Sequence, residues 1–466
     1  MIPIFSVGQN SEPSNRLPIA ILGAGITGLS AARHLVRAGR RVTVFDPAPV
    51  PGGVIRSERH EAGWLVESGP NSLQETPAVA ALVSELGLGP RRQPSAPAAK
   101  NRYILRDGLL LRLPTSPAAF LRSGLFSTRT KLRVLHEFFR PKRPRLQDLP
   151  LADFFREHFG PELLAYALDP FVSGIYAGDP AQLSARHAFP SLWKGEQKHG
   201  SLLRAQLAEA RAKRVRGEPA GPPPIISFMD GLAELPQALA ASLPSGSLRL
   251  NTVVKQLTPG PNGWILDNAP AERFDRVILA LPAPALARLG LGPPGARTSL
   301  ASLDLLEHPP VTALFLGYRR TDIAHPLNGF GLLCPSVEKS PLLGVLFNST
   351  LFSGRAPAGH VALTVMLGGV RQPDLARQTL EYQLPIVEKA LATLLGTRRP
   401  PVFVHRTHWP RAIPQYEMTH DSYLEVIAAA EKRLPGLHIG GPVRDGIGLP
   451  ACLAAGERLA GAALVA

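Results

Sequence analysis

The stretch IAILGAGITGLSAARHLVRAGRRVTVFDP, from Ile19 to Pro47, limits the possible folds of this chain more than any other. Ile19 to Leu22 form an apolar run that stops at a glycine, as a buried parallel strand does. Leu29, Ala32, Leu35 and Val36 then fall on one helical face, and Gly39 supplies a C-terminal stop. Arg41 to Phe45 read as a second strand, closed by Asp46. A strand, helix and strand in this order predict a layered α/β domain.

The turn between them is G-x-G-x-x-G, with Gly23, Gly25 and Gly28. The first glycine permits the tight turn, the second lets backbone N–H groups approach a pyrophosphate, and the third lets helix and strand pack closely. The phosphates would sit at the positive end of the helix dipole. Asp46 is placed to accept from a ribose hydroxyl. The motif alone does not separate NAD from FAD, but two further features favour FAD. Gly52-Gly53 followed by Arg56 offers backbone room and a cation to a diphosphate and a flavin ring. The C-terminal DGIGLPACLAAGERLAG is a glycine turn leading into a second helix, whose N-terminus suits a flavin edge.

A chain of 466 residues has room for two or three domains, and 45% hydrophobic with 19% charged residues describes an ordinary folded protein. The net charge of +15 is compatible with nucleic acid, an anionic membrane surface, an acidic small molecule, or simply arginine-rich codon usage. No RNA-binding or helix-turn-helix signature accompanies the arginines, so no nucleic acid is expected. The two cysteines, Cys334 and Cys452, form no CxxC pair, which argues against zinc ribbons and disulfide scaffolds and for a reducing compartment. No metal-ligand spacing and no Ser-His-Asp pattern is evident, so no metal is expected. No apolar run approaches the ~18 residues of a spanning helix. The opening MIPIFSVGQNSEPSNRL lacks a basic region and a long apolar region, and reads as a short leader rather than a secretory signal. The expected location is cytoplasmic.

Further along, ETPAVAALVSELGLGP predicts a helix from Glu75 to Leu86, and RYILRDGLLLRLP a hairpin with Asp107-Gly108 at its tip. From residue 117 to about 215 helical periodicity dominates, and Lys131, Arg133, Arg140, Lys142, Arg143 and Arg145 cluster there. ISFMDGLAELPQALAASLP reads as strand and helix, SLRLNTVVKQL as a strand, and DRVILALPAPAL as a strand running into a helix. Alternating runs between residues 310 and 405 predict an antiparallel sheet. The end, from Leu437, reads as a strand, a glycine loop and a helix. The expected architecture is α/β plus α+β. A discontinuous Rossmann-like FAD-binding domain spans 17–98, 225–295 and 405–466. A substrate domain comprises a hairpin at 99–116 and an antiparallel part at 296–404, and a mostly helical, membrane-associating insert spans 117–224.

GAGITGLSAARHL, GGVIRS, ESGPNSL, SGIYAGDPAQLSARHAFPSL, WPRAIPQY and RDGIGLPACLAAG together resemble the oxygen-dependent protoporphyrinogen oxidases, relatives of the flavin amine oxidases and phytoene desaturases. The first two motifs are shared across that superfamily; the SGIYAGDP and AIPQY segments are much more specific to the porphyrinogen branch. The resemblance implies non-covalent FAD and a six-electron oxidation of a porphyrinogen in three two-electron steps, with dioxygen reduced to hydrogen peroxide. It extends the flavin contacts to Ala24, Ile26, Thr27, Val54, Gly69, Pro70, Asn71, Ser72, Val254, Gly441, Ile447, Gly448 and Leu449. Asn71 is the one catalytic candidate, a turn asparagine being the plainer reading. The resemblance also implies that Arg102 pairs with a propionate, that the backbone at Gly174 approaches the substrate, and that Phe330, Leu333 and Met366 wall the pyrrole rings. Plain core is the alternative for those three.

Cys452 reads as a small helix residue, not a flavin link, and Asp46 stands where many flavin enzymes carry glutamate. Residues 120–145 mix Phe120, Leu121, Leu125, Phe126, Leu132, Leu135, Phe138 and Phe139 with cations, a composition suited either to anionic headgroups or to a solvated cover. Protoporphyrinogen IX and coproporphyrinogen III both remain open as substrate, as do amine oxidation, desaturation and a flavin-binding scaffold without turnover. Partners in this reading are the porphyrinogen, dioxygen, a peripheral membrane contact and a chelatase receiving the product, with the chain a monomer or homodimer.

Overall fold

A computed structural model describes residues 16–142, 145–217, 221–293 and 300–465. Arg143, the first fifteen residues of the leader and residues 218–220 of the proline-rich loop lie outside the described residues. By contact the chain divides into two compact units, one of residues 1–53, 236–304 and 426–466, the other of 54–235 and 305–425. The sequence reading groups 54–98, 225–235 and 405–425 with the nucleotide domain; the contacts group them with the second unit.

The first unit is built on a five-stranded parallel sheet in the order Leu248–Arg249, Val42–Phe45, Ile19–Leu22, Arg276–Leu279, Leu437–Ile439. Ile19–Leu22 and Val42–Phe45 are buried throughout, which is why they read as unbroken apolar runs. Helix Ile26–Arg37 follows the first strand, and helix Leu449–Val465 packs on it. Gly456 makes that packing close, because a Cβ there would come within 2.5 Å of both the Ser30 Cβ and the Thr27 carbonyl oxygen. Ser30 Oγ donates to Leu453 O at 2.8 Å across the same seam.

One sequence expectation fails in this unit. SLRLNTVVKQL is two elements, not one strand. Leu248–Arg249 edges the parallel sheet, and Gln256–Gly260 belongs to a separate four-stranded sheet with Gly263–Leu266, Ala269–Phe274 and Gly290–Leu291. Asn251 turns the chain in the left-handed region, at φ 52°, and Thr252 N donates to Asp46 O. Asparagine tolerates that conformation at little cost, so a β-rich stretch can break there.

The second unit holds a seven-stranded sheet in the order Phe403–Trp409, Val311–Arg319, His360–Gly368, Gly344–Leu346, Gly331–Leu333, Tyr103–Arg106, Leu109–Arg112. All its pairings are antiparallel except that of Gly331–Leu333 with Tyr103–Arg106. Both faces are covered. Leu314, Leu316 and Tyr318 cluster with Val387, Leu391 and Leu395 of helix Leu380–Leu395, while Phe315 packs with Trp64 of the hairpin Ser57–Arg59 and Leu65–Glu67. The Asp107-Gly108 hairpin forms as expected, with φ 52° and 75° at its two central residues.

The region from 117 to 215 is helical, with Thr128–Glu137, Leu151–Phe159, Pro190–His199 and Leu202–Val215 as its longer pieces. A buried imidazole locks them together: His158 Nδ1 lies 2.8 Å from Glu137 Oε1 and its Nε2 lies 3.1 Å from Glu196 Oε1. Glu137 also accepts from Ser201 Oγ and from the amides of Leu202 and Leu203, so it caps the last helix.

Candidate active site

In the first unit the three glycines of the turn play distinct roles. Gly23 has φ 106°, and a Cβ there would overlap the Ala280 carbonyl oxygen; a Cβ on Gly28 would overlap the Gly23 carbonyl oxygen. A Cβ on Gly25 would meet nothing within 4 Å. Gly25 is also the N-cap of helix Ile26–Arg37 and no side chain caps that end. An open surface therefore faces bare helix N–H groups, the arrangement a diphosphate fits. The Gly52-Gly53 turn runs beside it. Gly52 N donates to Ala24 O at 2.8 Å, Gly25 and Gly52 form a parallel bridge, and a Cβ on Gly53 would lie 3.4 Å from Gly25 Cα.

Asp46 closes the turn rather than standing clear of it. Its carboxylate accepts from Ala24 N at 2.6 Å and from Ala48 N at 2.8 Å. A carboxylate has about four acceptor sites, so room for a ribose hydroxyl remains. Thr27 is buried, and a Cβ on Gly441 would lie 3.7 Å from its hydroxyl. The Gly441–Leu449 loop is held by Asp445, which accepts from Gly441 N and from Arg458, so the half-buried Ile447 and the exposed Gly448 stand on a braced loop ahead of Leu449. Val254 is half-buried in the loop before Gln256–Gly260. Burial pushes the Cys452 thiol up to about 11, so it stays protonated.

The remaining residues from the flavin motifs stand in the second unit. Val54 is 56% exposed, and a Cβ on Gly69 would overlap its carbonyl oxygen, so Gly69, just ahead of Pro70, is pressed onto that backbone. The Arg56 guanidinium lies 5.9 Å from the Trp409 ring, and Trp409 Nε1 donates to Ser68 O at 2.8 Å, which ties the edge strand to the loop before Ser72. Asn71 Nδ2 donates to Gly69 O at 3.2 Å, and Asn348 Nδ2 donates to Asn71 Oδ1 at 2.7 Å. The Asn71 amide is thus held at both ends, which fits a turn-fixing role.

Beneath this loop lies Glu67, which sequence reading did not single out. It is buried, accepts from Ser57 Oγ at 2.6 Å and Leu232 N at 2.9 Å, and stands 3.8 Å from the buried Arg355. Burial pushes its carboxyl up to about 7, outweighing the Ser57 and Arg355 contributions that lower it.

The residues matched to substrate contact gather along one stretch of the seven-stranded sheet. The Arg102 guanidinium lies 5.0 Å from the Phe330 ring, and Phe330 N donates to Asn101 O at 2.7 Å. Arg102 is exposed, and the protein around it pushes its guanidinium down by desolvation. Leu333, Gly344 and Met366 stand in register across three neighbouring strands, so Leu333 and Met366 share a face with only a glycine between them. Gly174 lies within helix Asp169–Tyr176. A Cβ there would come 2.9 Å from Leu333 Cδ2. Phe171 and Ile175, at helical spacing around Gly174, are each 39% exposed. This apolar face was missed, although its i, i+3, i+4 pattern was there to find.

A model of flavin containing amine oxidoreductases matches residues 26–464. The chain belongs to that family. Protoporphyrinogen oxidases are among its relatives. The bovine enzyme is 33% identical, over 95% of this chain and 97% of its own. The mitochondrial enzyme of Nicotiana tabacum is 32% identical, over 97% and 95%, and the human enzyme 32%, over 95% and 97%. Among solved structures, a candidate protoporphyrinogen oxidase of Exiguobacterium sp. 255-15 superposes with a TM-score of 0.79 at 24% identity, over 97% of this chain and 99% of its own. Cyclohexylamine oxidase from Brevibacterium oxydans gives 0.65 at 18%, over 96% and 98%. Both share the mixed α/β fold of parallel and antiparallel sheets. The chain is a flavin-containing oxidoreductase and its cofactor is FAD.

Proposed function

We propose that this flavoprotein oxidises protoporphyrinogen IX to protoporphyrin IX in three two-electron steps at a non-covalently held FAD, with dioxygen as acceptor and hydrogen peroxide as co-product. The observation that carries the reading is a cation set against an aromatic ring, Arg102 at 5.0 Å from Phe330, beside the apolar Leu333–Met366 face, in a chain about a third identical to protoporphyrinogen oxidases. When bound, FAD supplies the two-electron acceptor and the route to dioxygen.

The chain's own residues hold and orient. The open backbone at Gly25 and the uncapped helix behind it receive the diphosphate, Asp46 a ribose hydroxyl, and the Gly441–Leu449 loop the flavin end. With both thiols held near 11 by burial, neither Cys334 nor Cys452 has the thiolate character a covalent flavin link needs. Arg102 pairs with a propionate through its planar fork, and stays charged despite desolvation. Phe330, Leu333 and Met366, with Phe171 and Ile175 on the Gly174 helix, give the macrocycle an apolar surface that excludes water. Coproporphyrinogen III, with more carboxylates, is the alternative substrate and calls for more cations than Arg102.

The same reading includes peripheral membrane contact by the helical segment. Leu121, Leu132, Leu135, Phe138 and Phe139 are all exposed, Phe139 at 75%. No helix among the described residues is long and apolar enough to cross a membrane.

The deciding experiment mixes each porphyrinogen anaerobically with the yellow protein and then admits air. Bleaching of the flavin followed by porphyrin fluorescence is expected with protoporphyrinogen IX; an unbleached flavin with both porphyrinogens would sink the proposal. Arg102→Ala is expected to raise KM about tenfold or more with kcat largely kept, because a propionate contact is made equally before and at the transition state. An unchanged KM would remove Arg102 from the site.

A further inference from the structure

Just beyond Arg56 in the chain, at positions assigned to neither flavin nor substrate, Glu58 and His60 converge with His405. Each offers one ligand atom, and the three atoms lie within 4.8 Å of one another. Glu58 and His60 are two residues apart at the end of a hairpin strand, so both side chains leave the same face. His405 comes from the edge strand Phe403–Trp409 of the seven-stranded sheet. We propose that these three side chains form a binding site for one divalent transition-metal ion of the zinc, cobalt or nickel class.

Several observations support a built site. His60 is held from behind. Its backbone amide donates to Trp64 O and its carbonyl accepts from Gly63 N, each at 2.9 Å, so the turn is closed. Its ring stands 5.1 Å from that of Phe403, edge-on, and Phe403 in turn stacks on Trp64 at 5.3 Å. The His60 Nε2 atom is buried and makes no hydrogen bond among the described residues, although Glu58 Oε1 lies only 3.5 Å away. A buried ring nitrogen without a partner is costly. A bound cation removes the cost, since two ligands at about 2.0–2.1 Å from a tetrahedral zinc stand roughly 3.3 Å apart. The His405 ring is 5.4 Å from that of His60, centre to centre, which leaves one ion's width to close by side-chain rotation.

The donor set names the class. Two imidazoles and a carboxylate suit zinc, cobalt or nickel, whereas magnesium and calcium favour all-oxygen shells. Three protein ligands leave a coordination position for water, and the exposed Glu58 puts that position on the solvent side. The ion would join the hairpin to the sheet's edge strand. That hairpin leads directly from Arg56 and into the Ser68–Ser72 loop, so binding would stiffen the segment that carries both. Sequence spacing could not reveal the site, because His405 is remote in the chain from the other two.

The test uses full-length, FAD-loaded protein without a polyhistidine tag, stripped with chelator. Zinc chloride is titrated calorimetrically, and cobalt chloride is added while its ligand-field absorption is recorded. One saturable ion per chain is expected, with a rise in Tm on adding zinc. His60→Ala and His405→Ala should each weaken binding by roughly tenfold or more and abolish the zinc-dependent rise in Tm, with flavin content unchanged. Should His60→Ala not fold, His405→Gln and Glu58→Gln, at half-buried and exposed positions, decide in its place. Absence of saturable binding by the unmodified protein, or unaltered binding in both variants measured, overturns the site. Neither readout depends on porphyrinogen turnover, so the two proposals stand or fall separately.

Discussion

Gly25 and Gly28 both lack a side chain, for opposite reasons. At Gly28 a Cβ has no room inside the protein; at Gly25 it meets only empty space. Gly28→Ala is therefore expected to damage the fold, and Gly25→Val only the occupancy of the space. For Gly25→Val, the stability of the cofactor-free protein should stay within about 1 kcal/mol of the parent's while the yellow FAD band is lost; retained colour would refute the phosphate assignment. Glu67 is a second residue-scale test. Its folded carboxyl titrates at about 7 against 4.5 in the unfolded chain, so the folded state favours the protonated form. The associated stability is complete below pH 4.5 and is lost as pH rises through 7, a change of up to about 3 kcal/mol. Glu67→Gln, which can keep the Ser57 and Leu232 hydrogen bonds, should flatten Tm against pH over that interval; an unaltered slope would place the titration elsewhere. The glycine turn and Asp46 were legible because local geometry demands them. Glu67, Arg355 and Asn348 were not, because their importance comes from long-range burial that no spacing encodes.

Between elements, the clearest device is the His158 clamp. Burial alone would lower the His158 imidazolium, but its bonds to Glu137 and Glu196 outweigh this and raise it. For Glu137 and Glu196 burial would raise the carboxyls, and the bonds to His158 and their other partners leave both lowered. The signs then fix a window. The histidine's contribution is complete below its ordinary 6.5 and fades as pH rises through its raised value; those of the glutamates are complete above their ordinary 4.5 and fade as pH falls through their lowered values. Limited proteolysis within residues 128–215 should thus be slowest near about pH 5–6 and faster towards pH 9. His158→Ala, which strands two buried carboxylates, should cost about 3–5 kcal/mol of stability by denaturant unfolding. A cost below about 1 kcal/mol would deny the clamp.

Elements with one dominant period were readable: the first βαβ, the Asp107-Gly108 hairpin, the final helix. Helix Leu380–Leu395 was absorbed into an expected sheet, although Gln383, Val387, Leu391 and Leu395 recur every fourth residue on its buried face. Pro385 inside it disguised the pattern.

Over the whole molecule the charge is +15, but several cations of the helical segment are already engaged within the protein. Arg140 bonds Glu157, Arg145 bonds Glu157 and Glu196, Arg133 donates to Arg156 O, and Lys131 to Ser123 O. The apolar side chains nearby are the freer groups. Replacing Phe138 and Phe139 together by serine should reduce sedimentation with anionic phospholipid vesicles more than Arg140→Gln does, by roughly a hundredfold or more in partitioning, since each aromatic ring contributes about 1.5–3 kcal/mol when its surface leaves water. Equal effects would mean that headgroup attraction, not insertion, drives the contact. Composition could raise the membrane question but could not tell which cations were already engaged.

The parallel sheet also sets a timetable. Its central strand, Ile19–Leu22, is made well before its neighbour Arg276–Leu279 and the edge strand Leu437–Ile439. At roughly 5–20 residues per second, a ribosome leaves that opening strand waiting on the order of tens of seconds for its last companions. Both parts of the second unit, 54–235 and 305–425, are made in that interval, so chaperone demand during synthesis should centre on the waiting pair Ile19–Leu22 and Val42–Phe45, and a stop codon before Leu437 would yield an adhesive product rather than a merely inactive one.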